Sequence, residues 1–386
     1  MPASSAYADA LAARQSGPQA VEVVMPFTQG IKGHASVHEH VTREQIARRV
    51  AALKGCPFIE EIPQSLWPRR TYLVPSDTLV APDVRRLRLF GEDDLLGGVV
   101  PHAFLATKAI SHPLAFASAA APEGWNPLLA ELVQAAVLPG YTAFARQDAQ
   151  LAGEKLLALG PVRVKPVGET GGRGQVVVHD ASALAARLAM LDNAALLRQG
   201  VVLEHNLTHV ETLSVGQVRV AGILASYCGT QQLTQDNAGA PAYGGSDLAV
   251  VRGDFHALLA TLPPGTRRRA VDQALVYDAA VRSCYPGFFA SRINYDVAQG
   301  LDAEGQWCSG VLEQSWRIGG ATGAELAALE AFHADRSLQT ARTRCVERYG
   351  ALTPVPASAT LYFQGDDPEV GLLTKYALIH RDGDAA

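Results

Sequence analysis

The chain has 386 residues, 48% hydrophobic and 18% charged, enough for two or three domains with their own cores and outside the range of disordered or fibrous chains. Its 33 basic and 38 acidic side chains give a net charge of −5, and Arg267-Arg268-Arg269 is its longest basic run, so neither nucleic acid nor an anionic membrane is an expected partner. No window of about 18 uncharged apolar residues occurs, and Asp9 and Arg14 stand where a secretory leader would be apolar, which makes the cytoplasm the expected compartment.

Residues 1–20 are Ala/Ser-rich and aperiodic and read as a mobile leader. From 21 to 105, short apolar runs (VEVVMPF, TYLVPS, LRLF) alternate with helix-like stretches such as Thr42 to Lys54, with a Thr cap and Glu44 in the first turn, the pattern of a small α/β domain. Residues 106–160 are alanine-rich and helical in pattern, broken at Pro122–Pro127 and Pro139-Gly140. A β-rich block follows: PVRVKPV, a glycine loop, QVVVHD, an Ala/Leu helix at 181–198, VVLEHNL and THVETLSVGQVRVAGILASYCG. After a polar loop over 234–247 come a strand, a helix at about 266–284, two strands at SRINYDV and WCSGVLEQSW, and a final helix over roughly 323–348; 351–386 read as a Pro-rich stretch and a polar tail.

The five cysteines (Cys56, Cys228, Cys284, Cys308, Cys345) are odd in number and dispersed, which argues against a disulfide framework or a thiolate zinc site. His34, His38, Glu39 and His40 crowd one segment but precede a predicted helix instead of sharing one face of it, and read as structural or solvent-exposed. Only six of the 33 basic residues are lysine, so each lysine is a candidate for a place that needs a compact ammonium.

Three segments carry chemistry. Val162 to Lys165 is a strand ending in lysine; Gly168, Gly171, Gly172 and Gly174 form a loop, and Gln175 to Val178 returns as a second strand. Such a hairpin brings bare backbone amides and one ammonium to a phosphate chain, and it is not a Walker loop because no helix follows. Val201 to Glu204 is an apolar strand running through His205 and Asn206 to Leu207, with Glu211 seven residues after Glu204, a carbonyl, amide and acid suited to an adenine edge and a ribose. Arg292-Ile-Asn294-Tyr-Asp296 and Glu313-Gln-Ser315-Trp-Arg317-Ile-Gly-Gly320 place acids on otherwise apolar strands, costly unless a cation is held there. The polar stretch Gln231 to Asp247 lies between them as a substrate loop or a plain flexible one.

The order of these segments resembles the ATP-grasp superfamily over about residues 100–345: two α+β subdomains clasping ATP, here at 106–200 and 201–350, behind the α/β domain. The resemblance implies that Lys165 and Lys108 meet ATP phosphates, that Gly171, Gly172 and Gly174 are the phosphate flap, that Glu204, His205 and Leu207 form the adenine hinge and that Glu211 binds the ribose. It implies Mg²⁺, with Mn²⁺ as an alternative, on Glu313, Ser315 and Asp296, with Asn294 an alternative to Asp296; serine stands where the family has asparagine. Lys165 and Arg317 take the catalytic roles, Arg317 on the transferring phosphoryl group or the oxyanion. The implied activity is that of a carboxylate-amine or carboxylate-thiol ligase working through an acylphosphate on a small-molecule carboxylate and a nucleophile. Biotin-carboxylase-like bicarbonate activation and a non-catalytic nucleotide-binding paralogue are the alternatives, and the oligomeric state is open between monomer and homodimer.

Overall fold

The computed structural model describes residues 22–28, 36–68, 70–168 and 174–380; Gly171, Gly172, Lys32, His34 and the leader lie outside them. In chain order, strand β1 (Val23–Phe27), helix α1 (Val37–Lys54) and strand β2 (Thr71–Pro75) form a β-α-β unit whose strands pair in parallel, Val23 opposite Thr71. Strand β3 (Leu79–Val80), helix α2 (Ala81–Leu87) and strand β4 (Gly98–Val100) follow, then two 3₁₀ turns at Ala103–Ala106 and Lys108–Ser111.

Helix α3 (Pro127–Val133), strand β5 (Gly140–Ala143), helix α4 (Arg146–Leu157), strands β6 (Val162–Pro166) and β7 (Val176–Val178), helices α5 (Ala181–Ala189) and α6 (Asn193–Gln199), and strand β8 (Val201–His205) make the next unit. Its sheet runs β5-β8-β6-β7, all antiparallel. The two strands of the predicted hairpin pair, Val162 opposite Val178, and Gly174, just before the second strand, has φ 66°, in the left-handed region that favours glycine. Alternation decides the faces: Val162, Val164, Val201 and Leu203 pack under α4 and α5, which leaves Lys165, Val202 and Glu204 on the other side.

The chain then builds strands β9 (Thr208–Val220), β10 (Ile223–Gln235) and β11 (Pro241–Arg252), helices α7 (Phe255–Thr261) and α8 (Thr266–Cys284), strands β12 (Phe289–Ala290), β13 (Arg292–Leu301) and β14 (Trp307–Ser315), helix α9 (Thr322–Ala334), and strands β15 (Thr340–Tyr349), β16 (Thr360–Asp367) and β17 (Gly371–His380). Eight of these form one sheet, β14-β13-β9-β10-β11-β15-β17-β16, while β12 joins β4 and β3 in a small one. Helix α8 buries Ala270, Val271, Ala274, Tyr277 and Val281, a 3.6-period stripe, against one face of the large sheet. On the other face α1 and α9 pack Ile46, Val50, Leu329 and Phe332 over Val218, Tyr227 and Val250. Each such apolar side chain removed from water stabilises the fold by about 1.5–3 kcal/mol.

Several expectations are corrected. Helix α1 begins five residues before Thr42: Ser36 makes no side-chain cap, and instead Asp367 of β16 accepts the His38 amide at 2.8 Å, a cap supplied from the far end of the chain. The 181–198 helix is two, because Asp180 and Asp192 each cap their own segment through the amides of Ala183 and Ala195. The 234–247 loop is mostly the β10–β11 hairpin, turning only over 236–240, where Asp236 accepts from the Ala238 and Ala240 amides. Helix α9 stops at Ala334, and the rest of the expected 323–348 helix is β15. The 351–386 tail contributes β16 and β17 to the large sheet. Among the described residues all five cysteines are free and no helix is long and apolar enough to cross a membrane.

Candidate active site

The 3₁₀ turn Lys108–Ser111 touches both sheets: Ala109 O accepts from Thr142 Oγ1 of β5, and Lys108 reaches Glu313 of β14, beside the face of the large sheet that carries Asn294 and Asp296. Lys165 sits at the end of β6 with 3% of its surface exposed, and its Nζ lies 2.5 Å from Oε1 of Glu204, itself 1% exposed on the neighbouring strand. The other oxygen, Oε2, lies 3.0 Å from His112 Nε2. Burial alone would push the Glu204 carboxyl up; the Lys165 ammonium, then the hydrogen bond from His112, outweigh it and hold the group at about 2.

Lys108 crosses from the turn to the large sheet, where its Nζ meets Glu313 Oε2 at 3.0 Å. Glu313 on β14 stands directly opposite Asp296 on β13, and Ser315 opposite Asn294. A bulge at Leu312, the extra residue between the Asp296–Glu313 and Val297–Val311 pairs, turns the edge strand so that Glu313 faces Asp296. Asp296 Oδ1 accepts from Asn294 Nδ2 at 2.9 Å and Gln231 Nε2 at 2.7 Å, and Gln231 also donates to Ser214 Oγ at 2.9 Å. Burial first, then the Glu313 charge, raise the Asp296 carboxyl to about 6 despite these donors. Two facing carboxylates, one strained toward protonation, are the donor set Mg²⁺ takes from a protein when phosphate oxygens complete its shell, so these residues fit the ion. Among the described residues no larger His/Cys/Asp/Glu group is arranged to hold a metal.

Beneath this pair Arg292 is buried, its Nε and Nη2 bound to Glu325 of α9 at 3.1 and 2.7 Å, while its Nη1 donates to the carbonyls of Ser315 and Arg317. Tyr227 donates to the same carboxylate at 2.5 Å. This ion pair fixes the strand end that presents Ser315 and Arg317. Arg317 is partly exposed, with Nε 4.0 Å from Asp77 Oδ1 in the turn between β2 and β3, so it faces the N-terminal unit.

The hinge is placed less simply. The His205 amide donates to Pro139 O, the Asn206 amide to Pro161 O, and the His205 ring turns to Leu159 O at 3.2 Å. Leu207 packs with Leu138, Ala298 and partly buried Leu312, an apolar patch on the same face as Asp296. Glu211 is not brought to the cleft. It stands opposite Gln299, whose amide reaches Thr266 of α8, and alternation sets it on the α8 face with Leu213, one residue out of phase with Ser214 and Asp296. The histidine segment does not converge either: His38 packs on Phe363 near Lys375, and His40 meets Arg43.

Sequence reasoning missed His112, Glu325 and the contact of Gln231 with Asp296. A lone histidine after a 3₁₀ turn carries no spacing signal. Gln231 was visible only as the start of a polar stretch.

A small antiparallel sheet bearing a lysine and a glycine hairpin, closed over a larger sheet bearing paired acids, is the ATP-grasp fold, and the chain has it. The solved structures similar to it show the same fold. Phosphoribosylamine–glycine ligase from Thermotoga maritima is 12% identical over 93% of each chain, with a TM-score of 0.51. Biotin carboxylase from Campylobacter jejuni, in a β,γ-ATP complex, is 10% identical over 94% of this chain and 88% of its own, and the ADP complex of N5-carboxyaminoimidazole synthetase from Staphylococcus aureus is 10% identical over 94% of each; both have a TM-score of 0.50. The chain belongs to the family described as "Protein of unknown function (DUF3182)", whose model matches residues 27–377. No curated protein sequence matches it.

Proposed function

We propose that this protein is an ATP- and Mg²⁺-dependent ligase that activates a small-molecule carboxylate as an acylphosphate for attack by an amine or another nucleophile. The observation that carries the reading is the row Lys165–Glu204 and Lys108–Glu313–Asp296 along one cleft, two ammoniums for phosphates and two facing carboxylates for a cation. Lys165 and Lys108 exchange their carboxylate partners for ATP phosphates, the Leu207 amide meets the adenine, and the apolar patch of Leu207, Leu312 and Ala298 receives its ring. Bound at Asp296 and Glu313, Mg²⁺ would neutralise charge on the phosphate oxygens. The substrate carboxylate oxygen attacks the γ-phosphorus and the bond to the bridging oxygen breaks, so that ADP leaves; the nucleophile then attacks the carbonyl carbon and phosphate leaves. The chain contributes position and charge: Arg317 sits on the transferring group, and the glycine hairpin excludes water.

A second reading, nucleotide binding without turnover, is favoured by one observation: Asn294 and Ser315 face each other where stronger metal ligands would serve. The experiment that separates them measures ADP and phosphate release across carboxylates, bicarbonate included, each with a panel of amines and thiols. Release dependent on one pair supports the ligase. Tight MgATP binding with no release across the panel supports the second reading, and no binding at all removes both.

A further inference from the structure

We infer that His112 is a positioning residue of the nucleotide cleft: it fixes the Glu204 carboxylate, and through it the Lys165 ammonium, in the geometry that receives ATP. The inference rests on the reading of the cleft as an ATP site and adds to it a residue from outside every motif.

His112 has no exposed surface, and its Nε2 meets Glu204 Oε2 while Lys165 takes Oε1, so two donors on different elements divide one carboxylate and set its plane. An ionised carboxylate only accepts, so Nε2 is the donor of this hydrogen bond. Nδ1 is buried with no hydrogen-bond partner, a cost that an apolar side chain of similar volume would avoid. The Nε2 donor is what the imidazole supplies in return.

The strand opposite is shaped around the ring. Gly140 of β5 pairs directly with Glu204, and a Cβ there would lie 2.8 Å from Nδ1 and Cε1 of His112 and equally close to the Leu203 carbonyl of β8, so ring and neighbouring strand both close on this position. The segment carrying His112 is also pinned on both sides to the same residue of β5: Thr142 Oγ1 donates to Ala109 O at 2.7 Å and its amide to Pro113 O at 2.8 Å. A ring seated against glycine and clamped fore and aft has one orientation, which is what a support for a binding group requires. Without it, Glu204 keeps only its contact with Lys165 and holds the ammonium that the phosphates need.

The test is a double-mutant cycle on nucleotide affinity in the full chain, read by calorimetry with Mg²⁺ and a non-hydrolysable ATP analogue. His112→Leu is expected to weaken binding about tenfold, the loss of one hydrogen bond to a charged group, and His112→Gln, which keeps a donor, to recover most of it. In a Glu204→Ala background, which leaves His112 no carboxyl or amide oxygen to hold, His112→Leu should add nothing. Gly140→Ala, which crowds the ring from the other strand, should weaken binding in the same direction and serves if His112→Leu does not fold. Binding by His112→Leu or Gly140→Ala within twofold of wild type, or an effect that simply adds to that of Glu204→Ala, overturns the positioning role alone. A wild-type chain that does not bind the analogue overturns the ATP-site reading, and this role with it.

Discussion

Lys108 and Glu313, one on a 3₁₀ turn before the small sheet and the other on the edge strand of the large sheet, meet at 3.0 Å and tie the two sides of the cleft together. The ammonium thus occupies a carboxylate that a divalent cation needs, and the carboxylate occupies an ammonium that phosphate needs. Metal and nucleotide binding are therefore expected to be coupled through an exchange of partners. Lys108→Ala should raise the affinity of the nucleotide-free protein for Mn²⁺ about fivefold, the order of one partly exposed ion pair, and lower its affinity for MgATP. Calorimetric titration of both ligands checks this; parallel changes in the two affinities would sink the coupling.

Lys165→Ala is expected to do more than stop ATP turnover. The partner left behind, Glu204, is buried, and removing one member of a buried pair costs about 3–5 kcal/mol because the other charge stays uncompensated. Lys165→Met combined with Glu204→Gln removes both charges, leaves His112 Nε2 a carbonyl acceptor, and should recover most of that stability in urea denaturation. Turnover should stay lost in both proteins. Turnover near the wild-type rate in either variant would remove Lys165 from the chemistry.

The parts of this cleft that could be read from the sequence are those written in short local periods: the β6–β7 hairpin, the apolar strand ending in Glu204, and the acids of β13 and β14. What could not be read depends on partners far away in the chain. Thr340 to Tyr349 is a strand only because β11 and β17 flank it, and α1 starts early only because Asp367 caps it. Glu211 follows Glu204 by seven residues yet lies on the α8 face, since the period-two register of β9 against β13 decides sides and a residue count does not. His112 acquires meaning only once β5 and β8 bring Gly140 and Glu204 beneath it.

Asp296→Asn is expected to trade metal binding for stability. Burial and the Glu313 charge raise the Asp296 carboxyl from 3.8 to about 6, so at neutral pH the folded protein holds an unfavourable charge that the unfolded chain does not resist. The neutral amide should stabilise the metal-free protein by about 3 kcal/mol at pH 7 and weaken Mn²⁺ binding at least tenfold. A variant that is less stable than wild type without metal would show that the two carboxylates do not oppose each other.

Acid should weaken the fold in two windows, each with its own residue. Burial, then the Lys375 ammonium, lower His38 from 6.5 to about 4. The unfolded chain therefore takes up this proton near pH 6.5 while the folded one resists, and stability falls as the pH drops from 6.5 to about 4. Glu204 acts lower: ordinarily 4.5, it is held at about 2 in the fold, so the stability it contributes above pH 4.5 is lost between 4.5 and 2. Asp296 works in the opposite sense below pH 6, so the informative quantity is the difference between wild type and a variant, not the wild-type slope. His38→Asn should remove about 2 kcal/mol of the loss between pH 7.5 and 4.5 and leave the lower window alone, whereas Glu204→Gln should flatten only the lower one. Urea midpoints at pH 7.5, 5.5, 4.5 and 3.5 decide the matter: an unchanged upper slope in His38→Asn would mean that the buried imidazole does not set the acid sensitivity of the α1–β16 contact.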